Sequence, residues 1–135
     1  MVLTLRVPPA FGAEGDASVA NALRRLALGA TGCVAPGRLR IRRNDSVMSD
    51  EQLAHRVGQL VVDNARAADG DVLRLRAAAP AGRQLSVSSD AIEPRACWAG
   101  PPALLLVLAP GQRLDFDVEL RRGEAAQHSR FSPLE

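Results

Sequence analysis

The stretch DASVANALRRLALGATGCVAPGRLRIRRNDSVMSDEQLAHRVGQLVV, residues 16–62, decides the fold of this chain. Its first part carries apolar residues at helical spacing, which predicts a helix with one apolar stripe. We expect Asp16 or Ser18 to cap this helix, and Gly29 and Gly32 to end it. The stripe starts with Val19, near which the helix should begin, and continues with Ala22, Leu23, Leu26 and Ala30.

A strand and a turn follow the helix. Residues 38–43 read Arg-Leu-Arg-Ile-Arg-Arg, an alternation that is typical of a half-buried strand. Leu39 and Ile41 should therefore face the core, and the arginines between them should face the other side. Residues 44–46, Asn-Asp-Ser, have the composition of a turn.

A second, shorter helix is predicted after the turn. Ser49 is suited to be its N-cap, and Gln52 three residues later completes the pattern of a capping box. Leu53 and Val57 supply the apolar face, which Leu60 extends, and Gly58 can terminate the helix.

The rest of the chain favours strands, so the fold class is α+β. A first strand is expected at residues 2–7, before the first helix. After residue 62 the pattern becomes mostly β, with a clean alternation near the C-terminal end and a turn at Pro110 and Gly111. These later strands are expected at residues 72–78, 84–88, 104–108 and 113–121.

Composition excludes several classes of protein. The chain has 135 residues and a net charge of +2, which gives no concentrated patch for nucleic acid. All 17 basic residues are arginine. The two cysteines, Cys33 and Cys97, have no CxxC partner. No run has the length of a signal peptide or a membrane span, so an intracellular protein without a membrane partner is expected.

Four local motifs, in order along the chain, resemble one known family. The chain resembles the N-terminal half of the alpha-type assembly subunit of multisubunit DNA-directed RNA polymerases, and its archaeal D-type and eukaryotic third-subunit branch in particular. The motifs are Asn21-Ala22-Leu23-Arg24-Arg25, Asn44-Asp45-Ser46-Val47, Asp50 to Gly58, and Pro110-Gly111-Gln112 followed by Gln127-His128-Ser129-Arg130-Phe131-Ser132-Pro133.

The resemblance implies a non-catalytic structural subunit. Such a subunit pairs with a smaller alpha-like subunit, with a heterodimer favoured, and docks the second-largest polymerase subunit. It implies a dimerisation subdomain of strand–helix–strand–helix order at residues 1–62, an inserted β-rich subdomain at 63–126, and a return segment at 127–135. No base-specific nucleic-acid contact is expected, and the complex would lie in the cytoplasm or nucleus.

The same resemblance implies which residues contact partners. They lie in the first helix, in the second helix and in the C-terminal motif. They are Asn21, Leu23, Arg24, Arg25, Leu26, Asp50, Glu51, His55, Arg56, His128, Arg130 and Phe131. Without the resemblance, Asn21, Arg24 and Arg25 would be interpreted as a solvated helix face. His55 and His128 would be interpreted as packed or hydrogen-bonded side chains.

The chain departs from the family in three ways, of which the mildest is sequence drift at Gln59 and at Arg130-Phe131. Relatives continue after the C-terminal motif with a strand and a long helix, which are absent here, so Leu23 and Leu26 would lack their cover. Three alternatives stay open: another polypeptide supplies these elements, the chain packs in a reduced way against a larger assembly, or it is a truncated or divergent product. Relatives also carry cysteine clusters, whereas residues 63–124 hold only Cys97, so no zinc, no cluster and no other cofactor is expected. The short, metal-free form favours a viral source, with the virion as a further location.

Two other interpretations concern metal ions and enzymatic activity. Glu51 and His55 share a helix face, but a single pair makes half a metal site at best. Asp115, Asp117 and Glu119 alternate on one strand and are expected to form a solvated sheet face. No nucleophile elbow, P-loop or dinucleotide motif is present, so no catalytic residue is predicted.

A second hypothesis belongs to a different class of function. The chain could be a free-standing transcription regulator or nucleic-acid-binding module that reuses the alpha-like fold. Its best feature is the set of arginines on or beside one strand, Arg38, Arg40, Arg42 and Arg43. Strongly salt-dependent binding to DNA would favour this hypothesis, whereas the assembly hypothesis predicts tight protein partners and weak DNA binding.

Overall fold

The two predicted helices and five of the six predicted strands are present in the computed structural model, which describes residues 12–29 and 32–131. The strand expected at residues 2–7 lies outside the described residues. The elements are α1 (Gly12–Gly29), β1 (Cys33–Asn44), α2 (Asp50–Gly58), β2 (Val72–Ala78), β3 (Leu85–Ser88), β4 (Leu104–Leu108) and β5 (Arg113–Gly123). Three short 3-10 turns lie at Ser89–Ala91, Arg95–Cys97 and Ser129–Phe131. The α+β class is confirmed.

A three-stranded antiparallel sheet in the order β1-β5-β2 is the centre of the molecule. β5 is central because its alternation is the cleanest in the chain, and every second side chain from Leu114 to Leu120 is fully buried. β1 runs beside it from Cys33, opposite Gly123, to Asn44, opposite Leu114. Two register shifts in β1, at Pro36/Arg38 and Ile41/Arg43, mark β-bulges.

A second, two-stranded antiparallel sheet contains β3 and β4. β2 and β3 follow each other in sequence but belong to different sheets, because the turn after β2 redirects the chain. Gly82 in this turn has φ +86°, which a residue with a side chain rarely adopts.

One continuous apolar core lies between the sheets and α2. Because the chain has 3% aromatic residues, this core consists mainly of aliphatic side chains around one phenylalanine. Its largest fully buried members include Leu53 of α2, Leu73 and Leu75 of β2, Ile92, Leu105 and Leu108 of β4, and Phe116 of β5. Leu39 and Ile41 pack against it, as the alternation of β1 predicted.

The start of α1 was predicted wrongly. The helix begins at Gly12, so Asp16 and Ser18 lie inside it and neither is its N-cap. Residues 12–16 contain two glycines, which lowers helix propensity and concealed the first turns in the sequence pattern. The end of α1 at Gly29 agrees with the prediction.

The subdomain division at residue 62 stays a prediction. β1 comes before this position and β5 after it, and the two strands pair along almost the whole of β1. Residues from both sides of the predicted boundary therefore share one sheet and one core.

Candidate interaction site

α1 carries five of the predicted partner-contacting residues and is exposed along its described side chains. From Ala17 to Leu26 every residue is exposed except Val19, which is half-buried. Leu23 and Leu26 remain 39% and 58% exposed, respectively. An apolar stripe at helical spacing gains stability only when another surface covers it. Within residues 12–29 and 32–131, no such cover lies on these two leucines.

The polar residues of α1 flank this stripe. The Arg24 guanidinium donates two hydrogen bonds to Oδ1 of Asn21, at 3.2 Å from Nε and 2.9 Å from Nη2. This contact one turn apart orients both side chains on the helix surface. Arg25 points in a different direction from Arg24, because adjacent helix residues are about 100° apart.

The side chain of Asn44 organises the turn at residues 44–46, which comes before α2. Oδ1 of Asn44 accepts hydrogen bonds from the backbone N–H of Ser46 at 3.1 Å and from its hydroxyl at 2.6 Å. Nδ2 of Asn44 donates to the Met48 carbonyl at 2.9 Å and to Oδ1 of Asp50 at 2.8 Å. One amide side chain therefore connects the end of β1 to the start of α2.

α2 holds four predicted residues and is fixed at both ends. Oγ of Ser49 accepts a hydrogen bond from the Gln52 N–H at 3.3 Å, which confirms Ser49 as the N-cap. Nη1 of Arg56 donates to the Leu105 carbonyl at 2.7 Å and thereby attaches the helix to β4. Asp50 and Arg56 thus hydrogen-bond other parts of the chain and fix the position of α2. Glu51 and His55 lie exposed on the helix surface.

The C-terminal turn carries the last three predicted residues and is bound to β1. Nη1 of Arg130 donates to the Pro36 carbonyl at 3.0 Å, and Nδ1 of His128 accepts from the Arg130 N–H at 3.1 Å. The Phe131 ring lies so close to Gly123 that an added Cβ there would be 2.6 Å from the ring. Arg130 and Phe131 therefore hold the turn against the sheet.

Cys33 supports the same turn from the start of β1. Its Sγ donates to the Phe131 carbonyl at 2.7 Å, and burial raises the pKa of the thiol above its ordinary value. Cys97 is also buried and its pKa is raised for the same reason. Both thiols are thus in the protonated, weakly reactive form near neutral pH.

A cavity of about 360 Å³ brings the second helix and the C-terminal motif together. His55 of α2 faces it from one side, and His128 and Arg130 face it from the other. Cys33, Gln59, Asn64 and Ser129 also line it. Residues that are more than 70 positions apart in sequence thus share one concave surface, which sequence reasoning did not predict because only the tertiary fold joins them.

The outer face of the three-stranded sheet differs from its prediction as a solvated face. Asp117 is only 7% exposed, because Arg42 of β1 and Arg74 of β2 cover it from both sides. Nε of Arg74 lies 2.6 Å from Oδ1 of Asp117, and Arg42 forms a second ion pair with the same carboxylate. The hydrogen bond from Arg74, more than the nearby charge of Arg42, lowers the pKa of Asp117 below its ordinary value.

The neighbouring carboxylates of β5 also have arginine partners. Asp115 lies 3.3 Å from Nε of Arg76, and Glu119 lies 2.9 Å from Nη2 of Arg121. The alternation of Arg74 and Arg76 along β2 was a visible sequence signal for this arrangement, but the register between β2 and β5 was not.

The described residues contain no group of three or more histidines, cysteines or carboxylates placed to hold a metal ion. His55 instead lies 3.5 Å from the Gln59 amide. None of the helices in the described part of the chain is both long enough and apolar enough to cross a membrane.

Comparisons with known proteins find two relatives of low sequence identity. No protein-family model matches the chain. It is 30% identical to the DNA-directed RNA polymerase subunit Rpo3 of Thermococcus kodakarensis over 131 residues, which covers 87% of this chain and 49% of the relative. It is 23% identical to a conjugation stage-specific protein of Tetrahymena thermophila over 159 residues, with 88% of this chain and 51% of the relative covered. The chain thus spans about half the length of the curated relatives that it matches.

Proposed function

We propose that this chain is a non-catalytic assembly subunit of a DNA-directed RNA polymerase. The observation that carries the proposal is the similarity to an archaeal polymerase subunit over nearly nine-tenths of the chain. Its exposed apolar helix adds a physical reason for assembly, because a surface of this kind is stabilised by a partner. The complex would be intracellular, and catalysis would belong to its large subunits.

α1 is the proposed pairing surface with a smaller alpha-like subunit. Leu23 and Leu26 would be buried at the centre of a helix–helix contact, and Asn21, Arg24 and Arg25 would form its polar rim. Burying an exposed leucine completely contributes about 1.5–3 kcal/mol, so two leucines supply a useful share of a subunit contact. A second alpha-like chain would also provide the cover that the described residues lack.

α2 and the C-terminal turn are the proposed docking surface for the second-largest subunit. Glu51 and His55 are exposed on α2, and His128 and Arg130 lie across the cavity from His55. Asp50, Arg56 and Phe131 would act indirectly, since their contacts fix the helix and the turn that present the others. A concave surface with polar groups on both sides suits a protruding segment of a large partner.

The alternative, a free-standing nucleic-acid-binding module, has less support. Of the four strand arginines on which it rested, Arg42 is bound by Asp117 and Arg43 by Asp45, with 2.8 Å between Nε and Oδ2 in the second pair. Only Arg38 and Arg40 lack an acidic partner among the described residues, and a net charge of +2 gives little attraction for a polyanion.

The experiment compares tagged full-length protein with a Leu23→Asp/Leu26→Asp variant after expression in cells of the source organism. The exposed position Val47→Asp is the matched control, because Val47 is 95% exposed and lies outside α1. We expect the double variant to lose a small co-purifying alpha-like chain that the wild-type protein and the control variant retain. Recovery of the same chains with all three proteins would exclude α1 as the pairing surface.

A further inference from the structure

The backbone hydrogen bonds of β5 show which residues of β1 bond to it and which direct their N–H and C=O groups away from the sheet. Leu120 directs its backbone toward β2, where its N–H bonds the Asp71 carbonyl at 2.8 Å and its C=O accepts from the Gly70 N–H at 3.0 Å. Successive residues of an antiparallel strand direct their backbone groups alternately to the two neighbours. Asp117 and Glu119 therefore direct theirs toward β1.

The middle of β1 has an open edge as a result. Arg38 and Arg40 stand opposite Glu119 and Asp117, so their backbone groups bond β5. Leu39 lies between these two arginines and Ile41 follows Arg40. Both direct their backbone N–H and C=O groups away from the sheet. No described residue bonds these four groups, and we call residues Leu39 and Ile41, with their outward backbone, the open edge.

One face beside the open edge carries surplus positive charge. Arg38 and Arg40 are exposed, and neither forms an ion pair with any residue in the described ranges. Residues two apart in a strand are about 6.6–6.8 Å apart, and a paired strand has the same spacing. Carboxylates on alternate residues of an added strand would therefore lie opposite both arginines.

The other face beside the open edge has a cavity of about 280 Å³, which is lined by apolar residues and by the polar side chains of His55 and Arg130. It lies between β1 and α2, and its apolar lining includes Leu39, Val57 and Val118. The residue of an added strand that stands opposite Leu39 would direct its side chain to this face, because directly opposed residues share a face. An apolar side chain at that position would enter the cavity.

We propose that the open edge binds an extended segment of a partner protein in which acidic residues alternate with apolar ones. Three features of one strand fit this single occupant: the unbonded backbone groups, the arginines without an ion pair on one face, and the cavity that Leu39 lines on the other face. Addition of a strand to a sheet edge uses main-chain hydrogen bonds for affinity and alternate side chains for specificity. The inference does not depend on the proposed polymerase role.

Three other occupants fit the open edge less well than such a segment. A second copy of this chain added edge to edge would bring its own Arg38 and Arg40 against the same arginines, which like charge disfavours. Residues 1–11 of this chain contain no carboxylate. A nucleic-acid strand offers phosphates but lacks a peptide backbone, whose N–H and C=O groups repeat at the spacing of the open edge.

The test is a titration of the full chain with a short synthetic peptide in which glutamate and valine alternate. A peptide of the same composition with all valines together is the first control, and a single-stranded oligonucleotide is the second. We expect the alternating peptide to bind saturably and the two controls not to bind. Its binding should slow hydrogen exchange at the backbone amides of Leu39 and Ile41 relative to the free protein. Equal binding of the rearranged peptide, tighter binding of the oligonucleotide, or unchanged exchange at both amides would overturn the proposal.

A pair of variants separates the arginine contacts from general charge. Arg38→Gln/Arg40→Gln should weaken the alternating peptide about tenfold, since two exposed ion pairs are removed. Arg83→Gln removes an equally exposed arginine from the turn after β2 and should leave the affinity unchanged. Equal loss in both variants would contradict a site at β1. Hydrogen exchange at the amides of Leu39 and Ile41 in the wild-type protein reports the backbone contacts independently. The site can therefore still be tested if one variant folds poorly.

Discussion

Asp117 is the residue at which tertiary structure overrides the local pattern most clearly. It stands on the alternating polar face of β5, yet two arginines from neighbouring strands cover its carboxylate. A charge in such surroundings is tolerated because both partners hydrogen-bond it. The sequence predicted its face correctly but not its burial, since Arg74 is 43 residues away and only the β2–β5 register brings it there.

We predict that Asp117→Asn lowers the free energy of unfolding by about 1–2 kcal/mol, because two charged hydrogen bonds are weakened while both arginines remain partly screened by solvent. Glu119→Gln is the matched control on the same face of β5, where the ion pair with Arg121 is more exposed. Its cost should be about 0.5 kcal/mol or less. Denaturant unfolding measures both, and equal costs would contradict the special role of Asp117.

The same residue gives a dependence on pH with a defined sign. The pKa of Asp117 is lowered from its ordinary value of 3.8, so its contribution to stability is present above that value and is lost as pH falls through the lowered pKa. The difference in stability between wild type and Asp117→Asn should therefore be constant above about pH 5 and shrink below about pH 4. A difference that grows on acidification would refute this assignment.

Among the elements, α2 was the most predictable and α1 the least. The capping pattern at Ser49 and the spacing of Leu53 and Val57 define α2 locally, and the structure confirms all three. The start of α1 was missed because glycines near its first turn weaken the local signal. The pairing of β1 with β5 was not predictable in register, since two β-bulges in β1 shift it.

The cap of α2 gives a prediction at the scale of one element. Ser49→Ala removes the side-chain acceptor of the Gln52 N–H and should lower the free energy of unfolding by about 1 kcal/mol. Ser49→Asp keeps an acceptor at the N-cap and should retain most of the wild-type stability. The midpoint of thermal unfolding is compared among wild type and the two variants. An unchanged midpoint for Ser49→Ala would show that the cap adds nothing to the contacts of Arg56 and Leu53.

At the scale of the whole molecule, α1 differs from the other elements in how much of its apolar surface is buried. The sheets and α2 enclose a continuous core, whereas the apolar stripe of α1 faces outward in the described part of the chain. The sequence predicted this contrast through its resemblance to a subunit family. It did not predict the cavity between α2 and the C-terminal turn, because His55 and His128 meet only after the chain folds.

The assembly role is tested most directly by isolating the tagged full-length protein from its native cells at high salt and identifying the co-purifying chains by mass spectrometry. High salt removes contacts that are made through nucleic acid, while an apolar subunit contact persists. The account predicts two very large chains and a small alpha-like chain at fixed stoichiometry. Recovery of this protein alone, or only together with nucleic acid, would contradict it.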